Sequence, residues 1–324
     1  MATRIQGLVQ SMEEAIETRA TTPPIKRPLW RKIWEFPLVA MAAALAMVAA
    51  AVALTYAIFS LLDREQFSPV LQTVLPDLTV VFFVFLACKF GISRLGRTPR
   101  DDLPMGLAPA HLGAGLGVGF AIFAVVVAIA SALGVYRING WGTMEGGLAF
   151  FMAGGLTAGF VEEVVFRGVI FRWVEELAGS WAALLVSGGL FGFVHIANDG
   201  ATVFSSVAIA VEAGLLLGAA YMLTRSLWLA VGIHAGWNLT QGLVFDVNVS
   251  GFEVNGIIDA ELSGPDLLTG GAFGLEASVI ALVVATGAGL LMLRMAARRG
   301  QIVQPLWSGP SSQPGQIEGQ SQAL

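Results

Sequence analysis

The chain has 324 residues, of which 56% are hydrophobic and only 13% charged. A water-soluble domain of this size carries about 25% charged residues, so most of the surface is expected to face lipid. The net charge of −5 offers no electrostatic case for nucleic-acid binding, and the single cysteine, Cys88, excludes an intrachain disulfide and any multi-cysteine metal site.

Residues 1–34 are polar and mix Glu13, Glu14 and Glu17 with basic residues. They read as a cytoplasmic tail rather than a cleavable signal peptide, because the first apolar run is too long for a signal core. A spanning helix needs about 20 predominantly apolar residues. Eight segments are candidates, at roughly 36–62, 76–93, 112–135, 147–177, 181–198, 204–223, 226–245 and 272–296. They lack the strict alternation of barrel strands. The expected fold class is therefore all-α, a polytopic integral membrane helical bundle with its helical domain at 35–300. Residues 301–324, rich in Ser, Gln, Pro and Gly, read as a disordered tail.

Charge sets the expected orientation. Arg4, Arg19, Lys26, Arg27, Arg31 and Lys32 precede span one, and Arg94, Arg97 and Arg100 follow span two. Arg172, Arg225, Arg294, Arg298 and Arg299 fall on the same side, so this face holds 14 of the 18 basic residues. The opposite face keeps Arg64 and Arg137, and its long 246–271 connection is acidic. The positive-inside rule then places both termini in the cytoplasm. Three small-residue seams, Gly155/Gly159, Gly188/Gly189/Gly192 and Gly214/Gly218, predict close helix packing. No internal repeat suggests a transporter built from matching halves.

Ionisable groups are costly within a bilayer, and here they concentrate between residues 160 and 240. On span four, Glu163 and Arg167 are four apart and share a helix face, with the acid N-terminal to the base. Glu162 lies about 100° round the helix and is the freer carboxylate, suited to general-base work. The bland alternative is a buried ion network that only fixes packing. His195 lies on span five, which Asn198 and Asp199 end. With a turn at Ala178–Gly179–Ser180, an antiparallel hairpin brings Glu162 and His195 to one depth, roughly 24 Å from the turn at about 1.5 Å per residue. On span seven, His234 and Asn238 share a face and could donate to an oxyanion, or serve as interhelical glue. Glu212 is a further buried acid, read either as a support behind the cluster or as a partner of Arg225 or a histidine, and Lys89 is expected to snorkel.

In this order, Glu162-Glu163-x-x-x-Arg167, Phe191-x-x-x-His195 and His234-x-x-x-Asn238, with Ser226-Leu227-Trp228 before the last, resemble the motifs of the CPBP family. That family includes type II CAAX prenyl endopeptidases and bacteriocin-processing or immunity-associated membrane proteins. The resemblance covers about 147–245. It implies an eight-helix intramembrane endopeptidase acting on a membrane-associated peptide or protein, which in CAAX-type members is prenylated. Carried over, Glu162 and His195 activate water, Glu163 and Arg167 hold the geometry, and His234 and Asn238 stabilise the oxyanion. A metal-independent glutamate mechanism is favoured; a zinc alternative would use Glu163, His195 and His234. A non-catalytic scaffold or immunity protein and a proton-relay transporter are the competing readings. The expected location is the plasma membrane of a prokaryote.

Overall fold

The computed structural model describes Gln6 and residues 28–308. The basic residues expected before Pro28 and the tail from 309 onward lie outside the described residues. The helices are α1 (Pro37–Leu61), α2 (Pro69–Arg94) and α3 (Met105–Ala132). A helical stretch, Gly147–Ala197, follows, and is broken at Gly179 into α4 (147–178) and α5 (180–197). Then come α6 (Val203–Thr224), α7 (Leu227–Leu239, continued by a π turn, Thr240–Val244) and α8 (Val279–Arg298).

Six of these helical segments are long and apolar enough to cross a membrane, with the 51-residue Gly147–Ala197 counted as one. Eight were expected. Part of the difference is that a single 51-residue helix would be about 77 Å long at about 1.5 Å per residue, against a hydrocarbon core of about 30 Å. Its break at Gly179 (φ 82°, ψ 170°) falls within the turn expected from the sequence. The other part is α7, whose His234, Asn238, Thr240 and Gln241 lower its hydropathy. That helix need not be lipid-like, because nearly every residue from Leu227 to Asn238 is buried in protein. Leu227, Trp228 and Val231 join one apolar cluster, while Leu229, Ala230 and Ile233 join another. Leu54, Phe82, Phe120, Leu185 and Val283 instead expose 47–78% of their surface, as lipid-facing side chains do.

Caps explain several boundaries. Ser68 accepts from the Leu71 amide and Pro69 opens the helix, so α2 starts seven residues before the apolar run. Ser278 accepts from the Ala281 amide at 3.1 Å and delays α8 to Val279. Thr202 and Ser205 form a reciprocal box at the start of α6.

The bundle is mostly helical, but the all-α expectation missed a short antiparallel ribbon. β1 (Tyr136–Trp141) pairs with β2 (Ile258–Leu262), in register Tyr136 with Leu262 and irregular between Ile138 and Gly140. Both strands come from connections expected on the acidic face, where backbone groups outside a helix must find partners. At the other end, Arg172 pairs with Asp102 at 2.9 Å, and Arg225 with Glu175 at 2.5 Å. Lys89 does not merely snorkel: its Nζ donates to Asp101 at 2.5 Å and to the Leu103 carbonyl at 2.9 Å. Residues 301–308 are also tied down, whereas a disordered tail was expected from 301. Ser180 and Val303 exchange hydrogen bonds at 3.0 and 2.8 Å, and Arg225 holds Gln301 at 2.9 Å. Gly179 permits this approach, since a Cβ there would lie 2.9 Å from the Val303 carbonyl oxygen.

Glycine seams bring the helices together. Gly188 and Gly192 of α5 meet α6 at Gly214 and Ala210, as the sequence suggested. A seam not anticipated joins α3 and α7. A Cβ on Gly115 would lie 2.6 Å from the Leu229 carbonyl, and one on Gly119 2.4 Å from that of Ile233. This seam fixes α7, and so His234, against the rest of the bundle.

Candidate active site

The acidic pair lies on a single α-helical turn, Gly159–Glu163, between two π-helical stretches, Phe151–Ala158 and Val164–Phe171. Such widened turns recur at functional sites. Gly159 lets α4 approach α7 closely: a Cβ there would be 3.0 Å from the Ala235 Cβ. The approach brings Glu163 to His234.

Glu163 and Arg167 are both fully buried and paired at 2.8 Å. The same carboxylate oxygen, Oε1, lies 2.9 Å from His234 Nδ1. Arg167 also donates from Nη2 to the Ala213 carbonyl on α6 at 2.9 Å, and its guanidinium lies 4.6 Å from the centroid of Phe191. Phe191 packs against His195 at a tilt of 49° (4.7 Å between centroids) and meets His234 edge-on at 5.9 Å. The ring thus packs the guanidinium and both histidines together.

Glu162 differs from its neighbour. Its side chain is 34% exposed and its Oε2 has no hydrogen-bond partner; Glu163 also leaves Oε2 unpartnered, but is fully buried and held by Arg167 and His234 through Oε1. Glu162 Oε2 is 3.9 Å from His234 Nε2, too far for a direct hydrogen bond. The separation of a held and a free carboxylate, read from spacing, is present in the geometry. His234 is also held at Nδ1 by Glu163, a contact that spacing did not suggest. With Nδ1–H donated to a carboxylate, Nε2 is the nitrogen left facing Glu162.

His195 is fixed in the same way. Its Nδ1 lies 2.6 Å from the Phe191 carbonyl oxygen. A carbonyl only accepts, so Nδ1 carries the proton and Nε2 of the neutral ring presents a lone pair. Asn238 donates from Nδ2 to the Gly154 carbonyl at 3.0 Å, which leaves its second N–H and its Oδ1. Glu162, His195, His234 and Asn238 all line one cavity of about 660 Å³, a size common for binding sites. Glu163 and Arg167 lie behind its wall.

Behind His195 a small cavity of about 50 Å³ is lined by Glu212, Ser250 and Glu276 as well as by His234 and Asn238. Glu276 accepts from the Ser250 amide at 2.6 Å and hydroxyl at 2.8 Å. Glu212 has no hydrogen bond to Oε2, and Arg225, one partner considered for it, is engaged by Glu175. Sequence reasoning passed over Glu276, a lone acid inside the expected span 272–296; it lies instead in an irregular connection three residues before α8. Among the described residues no three His, Cys, Asp or Glu side chains are grouped so as to hold a metal ion. In the zinc set considered, Glu163 Oε1 is already shared by Arg167 and His234.

Residues 144–240 match the family model of the type II CAAX prenyl endopeptidases, Rce1-like. The matched segment is under a third of the chain and contains all six motif residues. No match was found among curated proteins, nor among solved structures. Its six apolar, membrane-length helices fit a multi-pass integral membrane protein, and the matched segment supports a protease activity of the kind that acts on membrane-associated proteins. The motifs, the buried Glu163–Arg167–His234 chain and the matched segment coincide, and over residues 144–240 the chain is similar to the Rce1-like type II CAAX prenyl endopeptidases, a match that supports a CPBP-family intramembrane protease.

Proposed function

We propose that the protein is an intramembrane endopeptidase in which Glu162 and His195 activate the attacking water. The observation that carries this reading is the unpartnered Glu162 carboxylate facing the cavity that His195, His234 and Asn238 also line. Glu162 takes a proton from water as the oxygen attacks the scissile carbonyl carbon, and His195 Nε2 accepts a hydrogen bond from the same water. The carbonyl oxygen becomes an oxyanion. Asn238 donates to it from its remaining N–H, and His234 donates from Nε2 in the imidazolium form. Collapse of the tetrahedral intermediate breaks the C–N bond, and the proton held by Glu162 passes to the leaving amine. Glu163 and Arg167 position His234 and do not touch substrate.

In this reading no metal is needed. The bundle crosses the bilayer eight times, with α4 and α5 counted as two passes and α7 as one. Both termini are cytoplasmic, in the plasma membrane of a prokaryote. The test is turnover by purified, metal-free protein of a quenched membrane-associated peptide. Loss in both Glu162→Gln and His195→Gln is expected. Undiminished turnover by Glu162→Gln would remove the glutamate mechanism.

A further inference from the structure

The large cavity has a direction. Its floor is Glu162, His195, His234 and Asn238, and its exposed rim is Glu145, Phe252 and Glu253. The rim residues belong to the connection before α4 and the connection after α7. Those two connections are held at one end of the bundle: Asn198 donates to the Ser250 carbonyl at 3.0 Å, and the Tyr136 hydroxyl to the Phe245 carbonyl at 2.9 Å. The opposite end is tied together through Asp102, Arg172, Tyr221 and Leu227. No residue of that end lines the cavity.

The two ends differ in charge. The cavity end has only Arg64 and Arg137 in its connections, against Arg94, Arg97, Arg100, Arg225, Arg298 and Arg299 at the other. By the positive-inside rule the cavity opens on the extracytoplasmic face. The cavity itself has three carboxylates, Glu145, Glu162 and Glu253, and no Lys or Arg among its lining residues.

Length matters as well. From Glu162 to the start of α4 at Gly147 is about 22 Å at about 1.5 Å per residue. An extended polypeptide needs about seven residues to cover that distance at about 3.3 Å each. A CAAX terminus places a free carboxylate three residues beyond the scissile bond, about 10 Å away. That carboxylate would lie inside the shaft among Glu145, Glu162 and Glu253, with no Lys or Arg in the lining, an unfavourable place for a further negative charge.

We propose that the cleft is entered from the extracytoplasmic side and cuts an internal bond of a membrane-bound polypeptide, with a further seven or so residues filling the shaft. The inference rests on the peptidase reading for its chemistry, but the direction of the cavity stands on geometry and charge alone.

Two measurements on the full-length protein test it. In a Cys88→Ser background, Phe252→Cys and, separately, Glu145→Cys are treated in intact cells with a membrane-impermeant maleimide, alongside Arg298→Cys. Labelling at the rim positions, and at Arg298→Cys only after permeabilisation, is expected; the reverse pattern overturns the proposed sidedness. The second measurement compares quenched peptides of one sequence in detergent-purified protein. One ends in a free carboxylate three residues past the scissile bond, and the other carries eight residues and an amide. The longer peptide is expected to be cut at least about tenfold faster, a preference worth about 1.4 kcal/mol. The preference should narrow when Glu145 and Glu253 are changed to Gln. Equal rates, or faster cutting of the three-residue tail, overturn the substrate class while leaving the peptidase reading intact. Cleavage of neither peptide overturns both.

Discussion

Replacing Glu163 and replacing Glu162 should have opposite consequences for stability although the two residues adjoin. Glu163 is fully buried and takes donors from Arg167 at 2.8 Å and His234 at 2.9 Å on one oxygen. Glu163→Ala leaves the Arg167 guanidinium buried with no counter-charge. Breaking a buried pair by removing one partner costs about 3–5 kcal/mol, and the His234 donor is orphaned in addition. Glu162 has a partly exposed side chain and a buried oxygen with no partner. Its removal deletes an unsatisfied polar atom, so Glu162→Ala should be neutral or up to about 1 kcal/mol more stable. Both variants should lose turnover, Glu163→Ala through displacement of His234 and Glu162→Ala through loss of the base. The assay is unfolding of purified protein by SDS titration in mixed micelles, followed by intrinsic fluorescence of the eight tryptophans and paired with peptide cleavage. Equal destabilisation by the two variants would refute the division of the acids into a positioning and a reacting group.

Asn238→Ala removes one oxyanion donor and should lower kcat by about 10²–10³-fold with KM little changed, measured by steady-state cleavage. The Gly115 seam should be intolerant: Gly115→Leu must push α7 away, costing about 1–3 kcal/mol and most activity. Gly117→Ala, whose Cβ would meet nothing within 4 Å, should be tolerated in the same assays. Protein treated with a chelator, and shown to be metal-free by elemental analysis, should keep full turnover; restoration of lost activity by zinc alone would establish the metal alternative.

Much of this site was legible because helix spacing is rigid. A spacing of four places Glu163 and Arg167 on one face whatever surrounds them, and the structure pairs them. The hairpin at Gly179 likewise brings Glu162 and His195 to one cavity. Contacts between non-adjacent helices were harder. That His234 is anchored by Glu163 depends on the separation of α4 and α7, which Gly159 and Ala235 set, and no single helix encodes that distance. The seam of Gly115 and Gly119 with α7 was missed because these glycines lie in a uniformly apolar helix with no contrast to mark them. The β1–β2 ribbon and Glu276 were missed for a related reason. Both lie in connections where partner choice depends on tertiary proximity rather than periodicity. Hydropathy also undervalues α7, since a helix enclosed by protein need not resemble lipid.

The central claim is that Glu162, not its buried neighbour, is the base. It is tested most directly by the single-turnover cleavage rate of Glu162→Gln, measured with the affinity for the same peptide. A loss of about 10²–10⁴-fold in rate, with affinity and unfolding midpoint near wild type, is predicted. A Glu162→Gln enzyme that cleaves at the wild-type rate would contradict the account.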